Sequence, residues 1–326
     1  MERVVPRRAP SKKEKSMRMK RVAAVAMMAS LALSAAACGK EGTPAPSGGN
    51  ASGGAQGDTC TTSGATFTPK GDANVAGSPT FDKIKSSGKV TVGVKFDQPN
   101  LGYKDAQGKR CGFDIEIAQY VASTLGVDPA KIEYKEIASA NRETAIKGGE
   151  IDYYVGTYSI TDKRKNDISF AGPYFIAGQD LLVRKDETTI TGKDTLKGKK
   201  VCSATGSTPI QKVRDEGLTE PENIVEFKTY SECVSQLLDK KVDAVTTDDA
   251  ILKGYAAQNP DELKVAGQPF STEKYGIGLP KDDKALRDYV NDQIEAAAKD
   301  GTWQKIYDGT LGKSGSAGSP PALERY

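Results

Sequence analysis

Histidine is absent from the 326-residue chain. Its absence excludes Ser-His-Asp and Cys-His nucleophile systems and zinc sites built on imidazole, leaving carboxylates and lysines for any acid–base work. No Gly-x-x-x-x-Gly-Lys-Ser/Thr loop is present, so the chain does not carry phosphate-loop nucleotide hydrolysis. Tryptophan occurs once, as Trp303. Long apolar runs are also missing. The longest, near the N-terminus, is shorter than the roughly 20 residues that span a bilayer comfortably.

Charge, by contrast, is plentiful, and its distribution matters more than its sum. The formal balance of +3 includes a strongly basic start, with nine Lys or Arg among residues 1–37 against Glu2 and Glu14. Taking nine from 46 and two from 43 leaves 37 basic and 41 acidic residues, a net charge of −4. A chain of that balance lacks the general basic character needed to neutralise phosphates, so nucleic acid is not an expected partner.

The basic start runs into apolar Val22–Leu33 and then Ser34-Ala-Ala-Ala-Cys38. That order describes a secretory signal over residues 1–37. Cys38 behind three alanines resembles the bacterial lipobox, whose cysteine is lipidated and becomes the first residue; plain secretion is the alternative. Residues 38–79 are rich in Gly, Ser, Thr and Pro and are expected to form a flexible tether. The expected location is therefore the extracytoplasmic face of the cell membrane, held by a lipid anchor.

With Cys38 set aside, Cys60, Cys111, Cys202 and Cys233 remain. An even number in an oxidising location suggests two disulfides with three possible connectivities. Cys202 lies on a candidate strand and Cys233 on a candidate helix of the same unit, which favours that pair and leaves Cys60 for Cys111. The spacing fits no Cys-x-x-Cys redox pair or four-cysteine metal site, and neither metal nor cofactor is expected.

From about Phe81 onward, short β-branched runs alternate with helical stripes. Lys89–Val94 reads as a strand. In Gly112–Leu125 the residues Phe113, Ile117, Tyr120, Val121 and Leu125 form one helical stripe stopped by Gly126. Lys131–Glu136 is the next strand, Asn141–Lys147 a short helix, and Ile151–Val155 a strand leading into the loop Gly156–Ser159. A second series starts at Leu181. It holds the strand Lys200–Cys202, a polar loop, a helix from Pro209, a helix around Ser231–Lys240 and the strand Val242–Thr246. The strand Tyr275–Leu279, the helix Lys284–Lys299 and Gly301–Tyr307 close the folded part. Strands alternating with helices predict two similar α/β lobes. Two such lobes enclose a solute at strand ends and helix N-termini, and hinge closure traps it.

Three segments carry a resemblance. Val92-Gly-Val-Lys-Phe-Asp-Gln-Pro-Asn-Leu-Gly-Tyr103 with Gly112-Phe-Asp-Ile-Glu-Ile-Ala118 is similar to the opening of polar amino-acid binding proteins of bacterial ABC importers. So are Gly156-Thr-Tyr-Ser-Ile-Thr-Asp-Lys-Arg164, continuing to Phe175, and Asp300-Gly-Thr-Trp-Gln-Lys-Ile-Tyr307. The motifs fall in order over residues 81–311, and the branch they resemble most is the glutamate-binding lipoproteins of actinobacteria. The resemblance implies a type II periplasmic-binding-protein-like fold, with the cleft between lobes joined by two hinge strands. It divides the chain into a first lobe over 80–180, a second over 181–271, a return to the first over 272–311 and a disordered tail over 312–326.

The same resemblance assigns a pocket. The arginine after Thr161-Asp-Lys, Arg164, would clamp the ligand's α-carboxylate, beside the hydroxyls of Thr157 and Ser159 and the backbone of Tyr158. A planar guanidinium suits a carboxylate bidentately; the plain alternative is a solvated charge in Asp162-Lys-Arg-Lys165. In the second lobe Ser207 and Thr208 would meet the same carboxylate, and Asp248 would hold the ammonium. Lys95 and Arg142 stand where relatives that bind acidic amino acids place basic residues, and Ser139 would add a hydroxyl. Gln98 replaces an aromatic that stacks on the ligand in many relatives. Glutamate is the implied ligand, with aspartate weaker and glutamine or asparagine as runners-up. The implied partners are a permease with a separate ATPase, and the chain is expected to be a monomer without catalytic residues. An exported dehydratase or lyase on the same scaffold is the competing class.

Overall fold

The computed structural model describes residues 60–314 and 318–326. The expected signal and the lipidation of Cys38 lie outside the described residues. In chain order the first part contains α1 (Pro79–Ser87), β1 (Val90–Val94), β2 (Tyr103–Lys104), β3 (Arg110–Cys111), α2 (Phe113–Thr124), β4 (Ile132–Glu136), α3 (Arg142–Lys147), β5 (Tyr153–Val155), α4 (Asp162–Lys165) and β6 (Ser169–Ala177). The middle part contains β7 (Gln179–Arg184), β8 (Val201–Ala204), α5 (Thr208–Asp215), β9 (Ile224–Phe227), α6 (Tyr230–Leu238), β10 (Ala244–Asp248), α7 (Asp249–Gln258) and β11 (Leu263–Ala266). The chain then returns through β12 (Glu273–Leu279), α8 (Lys284–Asp300) and α9 (Thr302–Gly309).

Two five-stranded sheets result, in the orders β4-β1-β5-β12-β6 and β11-β7-β10-β8-β9. In the first, β1 runs parallel to β4 and β5, while β12 is antiparallel to β5 and β6. In the second, β8 is parallel to β9 and β10, while β7 is antiparallel to β10 and β11. Val90, Val92 and Val94 share one face of β1 and are fully buried, while Thr91 and Gly93 on the other face are half-buried and buried, so the parallel strand is covered on both faces.

The crossover between sheets is one residue long. β6 ends at Ala177 and β7 begins at Gln179, a little before the expected boundary at 180. A Cβ at Gly178 would stand 2.6 Å from Pro269 Cβ and 2.7 Å from Ser271 O, so only glycine lets the outgoing and returning strands pass this closely. The Gln179 N–H donates to Ser271 Oγ (2.9 Å), tying the two connections together.

Trp303 anchors the first lobe. It is fully buried, donates its indole N–H to Tyr174 O (2.7 Å) and meets Phe113 edge-on at 5.5 Å. Asp283 serves two helices, accepting from Ser78 Oγ (2.7 Å) and the Thr80 N–H (3.1 Å) at α1 and from the Leu286 N–H (3.0 Å) at α8.

Both ends of the folded region differ from expectation. Residues 60–79, assigned to the flexible tether, are packed on the first lobe. Cys60 is bonded to Cys111, the Ser63 N–H donates to Glu116 Oε1 (2.7 Å), and the Lys70 N–H donates to Ser123 O (2.8 Å). Composition alone predicted a spacer, but a covalent link and a buried acceptor on α2 hold the segment down. Residues 318–326, assigned to a disordered tail, run along the edge strand β6. The Glu324 N–H donates to Gly172 O (3.0 Å), the Tyr326 hydroxyl accepts from the Phe170 N–H (2.8 Å), and Arg325 pairs with Asp292 and Glu295. The unpaired edge of β6 supplies the partners that a Gly/Ser/Pro-rich sequence lacks internally. Among the described residues no helix is long and apolar enough to cross a membrane.

Cys202 is bonded to Cys233, the pairing expected for two cysteines of one lobe, and closes a loop with a sequence separation of 31. Replacing both by alanine is expected to cost about 2–4 kcal/mol, mostly from the freed unfolded chain. Urea unfolding followed by circular dichroism measures it; a loss below about 1 kcal/mol would show that the bridge adds little to the second lobe.

Candidate functional site

The sequence-predicted groups of the first lobe come together where β1 and β5 end, at the start of α3 and within the short helix α4. Lys95 follows β1 and donates Nζ to Ser139 Oγ at 2.8 Å. Arg142 opens α3, giving Nε to Ser139 O (3.0 Å) and a terminal nitrogen to Thr157 O (3.3 Å). Arg164 is held in α4, whose cap Thr161 accepts the Arg164 N–H (3.2 Å). Its guanidinium donates to Ser159 O (2.7 Å) and Glu143 Oε1 (3.1 Å). The two guanidinium carbons lie 4.1 Å (Arg142) and 4.9 Å (Arg164) from the centre of the Tyr158 ring. Tyr158 is expected to contribute its backbone to the pocket; its carbonyl accepts the Gly276 N–H (2.9 Å), and its ring lies against both cations.

Gln98 and Thr157 form the neighbouring wall. Thr157 Oγ1 donates to Gln98 Oε1 (3.1 Å), while Gln98 Nε2 is buried and has no partner. Thr157 adopts φ +46°, a region disfavoured for a β-branched residue, and its N–H donates to Asp114 Oδ2 at 3.0 Å. Asp114 also accepts from the Tyr174 hydroxyl (2.8 Å); burial nevertheless raises its carboxyl to about 6.

The second lobe contributes Ser207, Thr208 and Asp248. Ser207 caps α5, its hydroxyl accepting the Ile210 N–H (3.3 Å), and Thr208 donates to Glu273 Oε2 at 2.9 Å. Asp248 ends β10. Tyr275 donates to its Oδ2 (2.6 Å), and Oδ1 is buried without a partner.

The lobes are closed on each other. Arg164 donates to Gly206 O (3.1 Å) and the Ser159 and Thr208 hydroxyls lie 3.2 Å apart, so both contacts bridge the cleft. A cavity of about 480 Å³ opens beside them, lined by Ser139, Glu143 and Arg164 from one lobe and Ser207, Thr208 and Arg214 from the other.

Electrostatically the cleft is under tension. Lys95 is 4% exposed and Asp248 3%. Burial, then Arg142 and Arg164, lower the Lys95 ammonium to about 7. Burial, then Glu273 and Asp249, raise Asp248 to about 8, against the Tyr275 hydrogen bond and Arg142. Burial and Arg142 lower Arg164 to about 10, which leaves it charged at neutral pH. A molecule bearing both a carboxylate and an ammonium would relieve both signs at once.

Sequence reasoning passed over several groups. Glu143 follows Arg142 directly, yet nothing in a short helix marks it as the partner of Arg164. Tyr275 heads a run recognised as a strand without its hydroxyl being given a role. Tyr230 brings a buried hydroxyl, raised by burial to about 12, near Thr247 and Ser207. Pairings across lobes carry no periodic signal.

Comparison with known proteins is consistent with this architecture. The family model of bacterial extracellular solute-binding proteins, family 3, matches residues 90–313. The glutamate-binding protein GluB of Corynebacterium efficiens is 41% identical over 260 residues, 77% of this chain and 87% of that protein. A glutamine-binding protein of Geobacillus stearothermophilus is 44% identical over 211 residues, covering 64% of this chain and 79% of its own. Among solved structures, an ancestral arginine-binding protein bound to arginine superposes with a TM-score of 0.63 at 37% identity, covering 68% of this chain and 97% of that one. With the family model spanning most of the folded region and the two-lobed fold in place, the chain belongs to the bacterial extracellular solute-binding proteins of family 3.

Proposed function

We propose that this protein captures a free amino acid, glutamate first and aspartate more weakly, outside the cytoplasm and delivers it to an ABC importer without turning it over. The observation that carries the reading is the pair of opposite buried charges contributed by different lobes, Arg164 and Asp248, the latter with an oxygen that has no partner. Arg164, with Ser159, Thr157, the α5 cap Ser207 and the first α5 residue Thr208, takes the α-carboxylate. Asp248 takes the ammonium. Lys95, Arg142 and Ser139 take the side-chain carboxylate, with the amide of Gln98 free to donate beside them. Glutamine is the second reading, supported by that unpartnered amide and by the Geobacillus relative. A lipid on Cys38, with residues before Cys60 as the tether, keeps the monomer close to the permease.

The deciding experiment is calorimetric titration of the twenty amino acids, with the ligand recovered afterwards and checked for chemical change. Arg164→Ala is expected to weaken glutamate binding by about 2–5 kcal/mol, the cost of stranding a buried carboxylate; unchanged affinity would remove Arg164 from the pocket. Lys95→Gln is expected to weaken glutamate about tenfold or more while sparing glutamine. Equal losses for both ligands would refute its side-chain role.

Protonation gives a further expectation. A bound ammonium draws Asp248 down from about 8, so binding releases a proton and weakens as pH falls below 8. A bound side-chain carboxylate draws Lys95 up from about 7, so binding takes up a proton and weakens as pH rises above 7. The two slopes cancel between these values, so glutamate affinity is highest there. Glutamine, lacking the second carboxylate, gains affinity up to about 8 and then levels off. Titrations across pH in buffers of different ionisation enthalpy separate the two profiles, and identical profiles would contradict the assignment of Lys95.

A further inference from the structure

The helix α6 has an incomplete N-terminus within its own lobe. Its capping box is formed: the Thr229 hydroxyl accepts the Glu232 N–H (3.3 Å) and the Glu232 carboxylate accepts the Thr229 N–H (2.9 Å). The N–H groups of Tyr230 and Ser231, in the first turn, have no acceptor inside the helix. Both point to the other lobe, where Asp97 Oδ2 accepts them at 3.0 and 3.2 Å. The hydroxyl of Tyr255, on α7, donates to the Asp97 carbonyl and lies 3.3 Å from the same carboxylate oxygen. One residue of the first lobe thus meets two helices of the second, and it is 8% exposed.

Next to this contact the backbones touch. A Cβ at Gly254, in the middle of α7, would lie 2.7 Å from Pro99 O. Glycine is a poor choice inside a helix, and the helix itself does not require it. The approach of the opposite lobe does.

We propose that Asp97 is a closure latch, a positioning residue that completes α6 and engages Tyr255 only when the lobes meet. It sets how fast a bound amino acid escapes and takes no part in choosing the ligand. Asp97, Tyr255 and Gly254 are all distinct from the groups assigned to the ligand. The proposal rests on the amino-acid-binding reading only for what is trapped. On opening, the two α6 N–H groups and the Asp97 carboxylate pass to water together, so the contact shifts the balance of open and closed forms by the same amount whatever lies in the cleft.

The test uses the full chain with Asp97→Ala and Gly254→Ala. The second keeps α7 intact, since alanine is the better helix former, but places a methyl against Pro99. Dissociation of labelled glutamate and glutamine is followed by chase, together with hydrogen exchange at the Tyr230 and Ser231 amides. Both variants are expected to release both ligands about tenfold faster, by a common factor, with little change in association rate. In Asp97→Ala the two amides are expected to exchange faster at saturating ligand. Unchanged release in both variants, with the parent binding normally, would overturn the latch. So would a loss that differs more than about threefold between the ligands, because Asp97 would then be reading the ligand itself. If no amino acid binds the parent, the functional reading fails and exchange alone decides. Slower exchange at the two amides in the parent than in Asp97→Ala then supports the latch, and equal exchange overturns it.

Discussion

Charge buried without a partner is the constraint around which this molecule is arranged. Closing the cleft removes Lys95, Arg142, Arg164 and Asp248 from water, and each desolvated ion costs several kcal/mol unless its field is met. The protein meets that field only in part. Glu143 and backbone carbonyls hold Arg164, and carbonyls with the Tyr158 ring hold Arg142. Lys95 and Asp248 are drawn towards their neutral forms. On the proposed reading, an amino acid bearing two carboxylates and an ammonium would supply the missing charges. Ligand capture and closure are then one event on that reading, because Arg164 and Asp248 come from different lobes.

The scaffold joins the two lobes through very little chain. A single residue, Gly178, joins the sheets on the outward path, and the return passes within contact of it at Ser271. The first lobe is stiffened separately: the Cys60–Cys111 bridge fastens the incoming segment, Asp283 joins α1 to α8, and residues 318–326 cover the edge strand β6. From the first lobe, Asp97 meets α6 and Tyr255 of the second across the gap, so contacts outside the groups proposed for the ligand add to the closed form.

Much of the fold was legible because its elements follow simple periods. β1, α2, β4 and α8 were found close to their observed bounds from valine alternation and helical stripes. The failures have physical causes. β6 contains Gly172-Pro173, which reads as a break, yet an edge position tolerates the missing N–H. The helix α7 was passed over; Gly254 interrupts its pattern, and that glycine answers to Pro99 of the opposite lobe. The packed segments before α1 and after residue 317 have spacer composition and borrow their partners from the first lobe.

By itself the sequence determined the absence of histidine chemistry, the acidic balance behind the basic start, the alternation of strands and helices, and which charged residues stand in recognisable motifs. These depend on residue type and local order. The three-dimensional fold alone decided that Arg164 shares its guanidinium with Glu143 and Gly206, that Tyr158 lies against two cations, that one oxygen of Asp248 is left without a partner, and that Asp97 completes a helix in the other lobe. Those relations are set by packing, burial and lobe closure. No local pattern encodes them.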